Sequence, residues 1–214
     1  MDSKNRTEEQ NSKLRELPKL PFDHNSANVA MILADNSFFS TGTNDAAKDW
    51  VNARLFLVKS IIGNGTFLDV GCGNGLLLKC LEMWSSFSIT PYGIDRDSEL
   101  IEKAKVFFPE QKENFFCLPI QDIGQLKETA LLTAYDYVYW NVWDNWMLEE
   151  PTEQKCLHEI KLLVSPGGCL ILGFYDKFAE LIQDKVERAT QVLGVAGNCI
   201  DNETGKEVAA VFRF

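Results

Sequence analysis

The residues best suited to chemistry lie in a glycine-rich turn in the first third of the chain. The turn reads Asp69-Val70-Gly71-Cys72-Gly73-Asn74-Gly75 and follows Thr66–Val70, which has the apolar pattern of a buried strand. A run with helical spacing begins at Leu76. A strand, a glycine turn and a helix in this order let a polar ligand approach bare backbone at the carboxyl edge of a parallel sheet. The sequence therefore predicts a ligand site at this turn.

A carboxylate stands at the end of the next apolar stretch, Ile89–Ile94. This is Asp95, and a carboxylate at the tip of a strand can accept hydrogen bonds from both hydroxyls of a ribose. The alternative is an exposed acid that caps the following helix. We interpret Asp97 as a surface charge. The turn and Asp95 together predict a cofactor that contains a nucleoside.

The spacing of the glycines distinguishes between two kinds of cofactor. Dinucleotide sites favour Gly-x-Gly-x-x-Gly, which seats a pyrophosphate on a helix N-terminus, whereas this turn reads Asp69-x-Gly71-x-Gly73-x-Gly75. A carboxylate before the first glycine would repel a pyrophosphate and suits the ammonium group of an amino acid. The turn resembles motif I of the class I S-adenosylmethionine-dependent methyltransferases, and Gly93-Ile94-Asp95 resembles their motif II. The alternative is that the glycines only form a tight turn.

The resemblance covers about residues 60–175 and implies S-adenosylmethionine as cofactor, with S-adenosylhomocysteine as product. Asp69 and Gly71 would face the methionine part, and the backbone of Asn141 would contact its amino group. Gln121 or Asp122 would contact the adenine, although Pro119 stands where many members carry Asp. The complete set implied to bind the cofactor is Asp69, Gly71, Cys72, Gly73, Asp95, Arg96, Gln121, Asp122 and Asn141.

The fourth predicted strand ends in an aromatic-rich segment, 139–146, and the family places acceptor-binding or catalytic residues directly after this strand. Trp143 and Trp146 are therefore candidate substrate residues, although indoles here could also pack under the neighbouring helix. Asp144 is the candidate general base, with a helix N-cap or a substrate hydrogen bond as alternatives. The Asn-Pro-Pro-Tyr type motif is absent at Asn141, which counts against DNA adenine and glutamine acceptors.

A helix is predicted over 45–62, preceded by a loop that carries Phe38. Trp50 and Arg54 share one face of this helix, and with Phe38 they complete the candidate substrate residues. Arg54 could bind the carboxylate of the cofactor or of an acidic acceptor; the alternative is a packed Trp50 beside a solvated Arg54. We expect three parts: a flexible leader over 1–25, an N-terminal helical lid over 26–62, and an S-adenosylmethionine-binding methyltransferase domain over 63–214.

Strand and helix patterns alternate from Thr66 onwards, which is typical of a parallel sheet with helices on both faces. Ser98 is the expected N-cap of one of these helices, and Ser165–Gly168 is predicted to be a turn before a strand. Two β-like runs close the chain, separated by a turn that contains Gly205. The predicted fold is α/β: a Rossmann-like, doubly wound, seven-stranded, mostly parallel sheet with a C-terminal antiparallel hairpin.

Composition narrows the class of partner. The chain has 214 residues and a net charge of −10, which argues against nucleic-acid binding through phosphates. No apolar stretch approaches the length that spans a bilayer, and no signal peptide is visible, so no membrane partner is expected. The six cysteines form no Cys-x-x-Cys pair, which indicates buried thiols in a reducing, cytoplasmic environment and no metal site.

The sequence therefore predicts an enzyme that transfers a methyl group from S-adenosylmethionine to a small-molecule acceptor. The acceptor atom, whether O, N or C, and the oligomeric state stay open. One alternative is a regulatory protein that binds the cofactor without catalysis, and another is a methyltransferase acting on a protein or tRNA. Aminopropyl transfer fits the aromatic strand end poorly, and NAD-dependent oxidoreduction disagrees with the glycine spacing.

Overall fold

The computed structural model describes residues 18–22, 29–36, 45–130, 132–175, 179–202 and 207–214. Its α-helices are α1 (Val29–Ala34), α2 (Ala46–Arg54), α3 (Leu76–Trp84), α4 (Ser98–Phe107), α5 (Leu126–Thr129), α6 (Pro151–Lys161) and α7 (Ala179–Leu193). Three 3-10 helices span Leu55–Ser60, Pro109–Asn114 and Ile120–Gln125. The strands are β1 (Gly65–Val70), β2 (Ile89–Asp95), β3 (Phe115–Cys117), β4 (Tyr135–Asn141), β5 (Val164–Phe174), β6 (Asn198–Asp201) and β7 (Val208–Arg213).

The strands form one seven-stranded sheet in the order β3-β2-β1-β4-β5-β7-β6. Pairing is parallel from β3 across to β5, while β7 runs antiparallel to both β5 and β6. The predicted α/β fold and its closing antiparallel hairpin are therefore confirmed. The predicted hairpin turn at Gly205 lies outside the described residues. The chain passes from β1 outwards through β2 to β3 and then crosses back to β4 on the other side of β1. The direction of the connections therefore reverses between β1 and β4, and a crevice opens at the carboxyl ends of these strands.

Alternation along the strands builds a hydrophobic core on each face of the sheet. Phe67 and Tyr137 enter one cluster together with residues of α1 to α4, whereas their neighbours Leu68 and Val138 enter the other. Successive strand residues point to opposite faces, and both faces are covered by helices. This explains why the strand segments read as nearly continuous apolar runs.

The N-cap residue of α4 lies one position earlier in the chain than the sequence suggests. The N-cap is Asp97, not Ser98: its carboxylate accepts hydrogen bonds from the backbone N–H groups of Glu99 (2.9 Å) and Leu100 (3.4 Å). An aspartate is as good an N-cap as a serine, so the pattern alone could not separate the two. Asp97 is therefore a structural cap and not merely a surface charge.

The segment Ser165–Gly168 lies within β5 and not before it. The pairing with β4 skips from Tyr135–Val164 to Tyr137–Cys169, so the intervening residues form a bulge. Gly167 has a φ of 82° there, and its N–H donates to the backbone oxygen of Phe214 at 2.8 Å. The bulge thereby ties the end of the chain to the sheet.

The helix predicted over 45–62 is α-helical only to Arg54 and continues as the 3-10 helix Leu55–Ser60. Part of the predicted leader also packs on the fold: Leu20 is 4% exposed, and the indole N–H of Trp84 donates to the backbone oxygen of Lys19 at 3.0 Å. Residues 18–22 are therefore part of the folded unit, which corrects the predicted boundary at residue 25. Among the described helices, none is long and apolar enough to cross a membrane.

Candidate cofactor and substrate site

A cavity of about 330 Å³ opens at the carboxyl ends of β1, β2 and β4. Most of the residues that the sequence singled out line it, and they come from the glycine turn, the strand ends and α2. They are Trp50, Arg54, Asp69, Gly71, Cys72, Gly73, Asp95, Arg96, Gln121, Asn141 and Trp143. All the predicted cofactor residues except Asp122, and several predicted substrate residues, are therefore brought to one place.

The glycine turn leaves open space above its backbone. Gly71 has a φ of 85°, and a Cβ added there would meet no heavy atom within 4 Å. The backbone N–H groups of Gly71 and Cys72 both donate to the carbonyl of Ile94, at 2.8 and 2.9 Å, which fixes the turn against β2. Burial raises the pKa of the Cys72 thiol well above its usual value, so this side chain is a neutral wall of the cavity.

Asp95 is held in place by the backbone while retaining capacity for a ligand. Its carboxylate accepts hydrogen bonds from the N–H of Gly73 (2.9 Å) and from the N–H of Asp97 (3.0 Å), one on each oxygen. A carboxylate oxygen can accept a second hydrogen bond. Asp95 is therefore pre-oriented as an acceptor for the two adjacent hydroxyls of a ribose.

Asp69 is a buried acid at the floor of the cavity, 3% exposed. Its pKa is raised to about 8, chiefly by burial and also by the neighbouring Asp95, whereas Arg54 acts to lower it. An unpaired carboxylate is costly in such a place. A cationic group of a ligand would offset this cost, so the electrostatics of the floor favour an ammonium.

The structure separates the two candidates for adenine. Gln121 lines the cavity next to Leu118 and Ile120, which offer apolar surface to a flat base. Asp122 does not line the cavity; it is exposed, and its backbone N–H donates to the carbonyl of Pro119 at 2.9 Å. The geometry therefore favours Gln121, which the sequence could not distinguish from Asp122.

Arg54 is buried, contrary to the alternative that it is solvated. It is 7% exposed, and its guanidinium forms an ion pair with Glu207 at 2.9 Å. The same group lies 4.2 Å from the ring centre of Tyr175 and 5.0 Å from that of Trp50. Burial opposes the charge of Arg54, but Tyr175 and Glu207 raise its pKa above the usual value. Arg54 is therefore a fixed cation that joins α2 to the start of β7.

Three tryptophans at the end of β4 and just after it pack against one another on one side of the cavity. Trp146 contacts both Trp140 and Trp143 edge to face, with ring centres 5.4 and 5.2 Å apart. Trp143 lines the cavity and is 40% exposed, whereas Trp146 is half-buried behind it. Only Trp143 of the two predicted substrate indoles therefore presents a face to a ligand.

Asn141 presents an unsatisfied polar atom. It is the last residue of β4, and its Oδ1 is buried without a hydrogen-bond partner among the described residues. Trp140 pairs with Val70 in the sheet, so Asn141 lies level with Gly71 at the glycine turn. Buried acceptors in native proteins are normally satisfied, and an N–H or O–H group of a ligand would satisfy this one.

Asp144, the candidate base, lies outside this group of residues. Asp144 is exposed and does not line the cavity; its backbone oxygen, like that of Trp143, accepts a hydrogen bond from the buried ammonium of Lys185, at 3.1 and 3.3 Å. A lysine of α7 thus anchors the loop after β4 through its backbone. Phe38 lies outside the described residues.

Several residues of the site were not singled out from the sequence. The hydroxyls of Tyr139 and Tyr175 are 3.0 Å apart at the cavity wall, and burial raises the pKa of both. Asp35 and Asn36, after α1, line the opposite side. Tyr175 directly follows β5, so the rule that ligands bind at carboxyl strand ends could have found it. Nothing in the sequence places Asp35 and Asn36 there.

The residues present fit S-adenosylmethionine. The open space over Gly71 admits a ligand to the backbone, Asp95 has acceptor capacity for a ribose, and Asp69 calls for a cation. These features match, in order along the cavity, the amino-acid and nucleoside parts of that cofactor.

Comparisons with known proteins agree with this fit. The methyltransferase domain family matches residues 62–213. No curated protein matches the sequence. The chain therefore belongs to the class I S-adenosylmethionine-dependent methyltransferases, and its cofactor is S-adenosylmethionine.

Solved structures show the same fold at low sequence identity. A TehB-like S-adenosylmethionine-dependent methyltransferase from Corynebacterium glutamicum is 18% identical with a TM-score of 0.51, covering 78% of this chain and 94% of its own. A putative S-adenosylmethionine-dependent methyltransferase from Streptococcus mutans is 10% identical with a TM-score of 0.55, and the match covers 77% of this chain and 48% of that one. The fibrillarin pre-rRNA processing protein of Methanococcus jannaschii is 12% identical with a TM-score of 0.52, covering 71% and 66%. The chain thus spans about half the length of the Streptococcus mutans protein.

Proposed function

We propose that this protein transfers the methyl group of S-adenosylmethionine to a small-molecule acceptor with a planar or apolar face. The observation that carries the proposal is the single cavity that joins the glycine turn to the exposed face of Trp143. Its volume of about 330 Å³ is at the lower end of the range for small-molecule sites. The described walls therefore suit a cofactor together with a small acceptor or a small reacting group.

The residues of the cavity have separate tasks in this proposal. S-adenosylmethionine, when bound, supplies an electrophilic methyl group. Asp69 binds its ammonium, Asp95 its ribose and Gln121 its adenine. The acceptor packs against Trp143 and is oriented by polar groups at the same end, the hydroxyls of Tyr139 and Tyr175 and the Oδ1 of Asn141. An indole face recognises flat surfaces through contact area and stacking.

In this proposal, the rate enhancement comes from alignment of the acceptor with the methyl group and not from a strong general base. Holding two reactants in the correct orientation in one site can supply most of the reduction in the activation free energy. Asp144 was the candidate base from the sequence, but its exposed side chain does not line the cavity. The proposal therefore assigns Asp144 no catalytic role.

The N-terminal segment supports the proposed division of the chain. Trp50 and Arg54 of α2 line the cavity, so the part before residue 63 contributes walls to the site of the remainder. We propose that residues 26–62 act as a lid and that 63–214 form the cofactor-binding domain. Within this segment the structure describes residues 29–36 and 45–62.

A protein or tRNA acceptor is the second candidate. Its support is the similarity in fold to a pre-rRNA processing protein, and the net charge of −10 counts against a large phosphate-bearing partner. Cofactor binding without catalysis is the third candidate, since the cofactor residues alone do not require turnover.

One screen separates these candidates. The purified protein is incubated with methyl-labelled cofactor and, in turn, with metabolite, peptide and tRNA pools. We expect label in the metabolite pool, and we expect Trp143→Ala to abolish it while Phe87→Ala, at an exposed aromatic residue away from the cavity, retains it. Label only in RNA or only in peptides would overturn the small-molecule acceptor, and label in no pool would favour the non-catalytic candidate.

A further inference from the structure

The turn that follows α1 lies directly on the glycine turn of the cofactor site. We call Asp35 and Asn36 the latch. Helix α1 is anchored in the core by Val29 and Leu33, which are 8% and 1% exposed, and the latch extends from its C-terminal end. Both latch residues line the same cavity as Asp95.

Asn36 binds the glycine turn through a pair of side-chain amides. Its Nδ2 donates to the Oδ1 of Asn74 at 2.7 Å, and the Nδ2 of Asn74 donates back to the carbonyl of Ile32 at 2.9 Å. Asn74 is 2% exposed, so water does not compete strongly for these bonds. The two amides hold the end of α1 against the turn.

The latch also touches the backbone of the glycine turn. A Cβ added at Gly73 would lie 2.8 Å from the Oδ1 of Asn36 and 3.0 Å from the carbonyl oxygen of Asp35. Any larger residue at this position would displace the latch. Because the N–H of Gly73 donates to Asp95, the latch, the glycine turn and the ribose-binding carboxylate form one contiguous wall.

A surface ion pair closes the other side of the latch. The ammonium of Lys103, on α4, donates to both carboxylate oxygens of Asp35, at 2.8 and 3.0 Å. The side chain of Lys103 is 47% exposed, and ion pairs of this kind are weak because water and salt screen them. The latch is therefore held to the glycine turn by a short amide contact between Asn36 and Asn74 and by a longer hydrogen bond from the Nδ2 of Asn74 to Asp35 at 3.4 Å, and it is held loosely to α4 by the ion pair.

We propose that the latch is a removable wall of the cofactor site, and that S-adenosylmethionine and S-adenosylhomocysteine enter and leave only when Asp35 and Asn36 detach from Asn74 and Lys103. Helix α1 stays packed through Leu33 while the latch opens. A ligand against Gly71 and Asp95 lies under the latch, so the latch must open for both association and dissociation. Weakening it then raises both rates by the same factor, because the closed form is destabilised equally with and without ligand.

The test is stopped-flow binding of S-adenosylhomocysteine to the purified full chain. Lys103→Met should raise the association and dissociation rate constants together by about two- to fivefold, the size expected for an exposed ion pair, and leave Kd unchanged. Asn36→Ala should raise both further. Lys105→Met is the matched control, since Lys105 is on the same helix and pairs with Glu102 at 2.8 Å; it should change neither rate.

Hydrogen exchange provides a readout that does not depend on turnover. The backbone N–H groups of Asp35 and Asn36 donate to the carbonyls of Met31 and Leu33, at 3.1 and 3.0 Å. Salt should speed binding in the wild type and not in Lys103→Met, and S-adenosylhomocysteine should slow exchange at these two amides. Unchanged rates in both variants, a rise in dissociation alone, or exchange unaffected by the ligand would each overturn the proposal.

Discussion

Asp95 is the residue that we propose binds the ribose. Replacing it with Ala removes acceptors for both ribose hydroxyls, and charge-assisted hydrogen bonds of this kind contribute about 1.5–3 kcal/mol each. We expect Asp95→Ala to weaken binding of S-adenosylhomocysteine tenfold or more, measured by calorimetry, because about 1.4 kcal/mol is already a factor of ten. Asp122→Ala is the control, because Asp122 is exposed and does not line the cavity. Equal affinities of a folded Asp95→Ala variant and the wild type would contradict the assignment.

Asp69 makes stability depend on pH. Its pKa is raised from 3.8 to about 8 by burial and by Asp95, so the native state holds this proton more tightly than the unfolded chain does. Its contribution to stability is complete below about pH 4 and is lost as the pH rises through about 8. Between about pH 5 and pH 8, urea denaturation should show Asp69→Asn losing less stability than the wild type. Parallel pH profiles for the two proteins would contradict this.

The same carboxyl should link cofactor binding to proton release. A ligand ammonium favours the ionised carboxylate and lowers the pKa of Asp69, so affinity for S-adenosylhomocysteine should rise as the pH increases towards about 8. Calorimetry in two buffers with different ionisation enthalpies would detect the released proton. Asp69→Asn should bind more weakly and release none.

At the scale of single residues, more of the predicted cofactor residues than of the predicted substrate residues line the cavity. The position of Asp69, Gly71 and Asp95 at the cavity was predictable because spacing within one β-α unit is local and constrained by the turn. Asp122 and Gln121 could not be separated, because a 3-10 turn decides which of two neighbours faces inward. Tyr175 directly follows β5 and belongs to no motif, so only the rule that ligands bind at carboxyl strand ends could have found it.

At the scale of elements, the ion pair between Arg54 and Glu207 joins α2 to β7. The two side chains are 9% and 15% exposed. Breaking a buried pair leaves one charge uncompensated and costs about 3–5 kcal/mol. We expect Glu207→Gln and Arg54→Met each to lower the free energy of unfolding, with the double variant losing clearly less than the sum. Urea denaturation of the full cycle measures this coupling; strictly additive losses would show that the contact is not an energetic pair.

Element boundaries were predictable where a pattern is local. The spans of β1 and β2 agree with the sequence to within a residue, because turns and apolar runs bound them. The bulge at Ser165–Gly168 was read as a turn, since Pro166 and two glycines carry the same signal in either setting. The pairing of Arg54 with Glu207, far apart in the chain, has no local signature, so the sequence offered only a solvated or ligand-binding arginine.

At the scale of the whole molecule, segments from the N-terminal and C-terminal parts of the chain lie at the edge of the sheet where the cavity opens. The parallel strands supply the cofactor residues, the N-terminal helices contribute Trp50, Arg54 and the latch, and β7 contributes Glu207 behind Arg54. The sheet and its order followed from the alternation of strands and helices. The position of Trp50 and Arg54 at the cavity was also predicted. The contact of Asp35 and Asn36 with the glycine turn was not, because it arises from tertiary contacts between segments with weak individual patterns.

Calorimetric titration of the purified chain with S-adenosylmethionine, S-adenosylhomocysteine and NAD tests the central claim most directly. We expect the first two to bind and NAD not to bind. Thermal unfolding in the same samples should show stabilisation by about 2.7 kcal/mol at a hundredfold excess of ligand over Kd, by mass action. Binding of NAD without binding of either S-adenosyl compound would contradict the assignment of this cavity as an S-adenosylmethionine site.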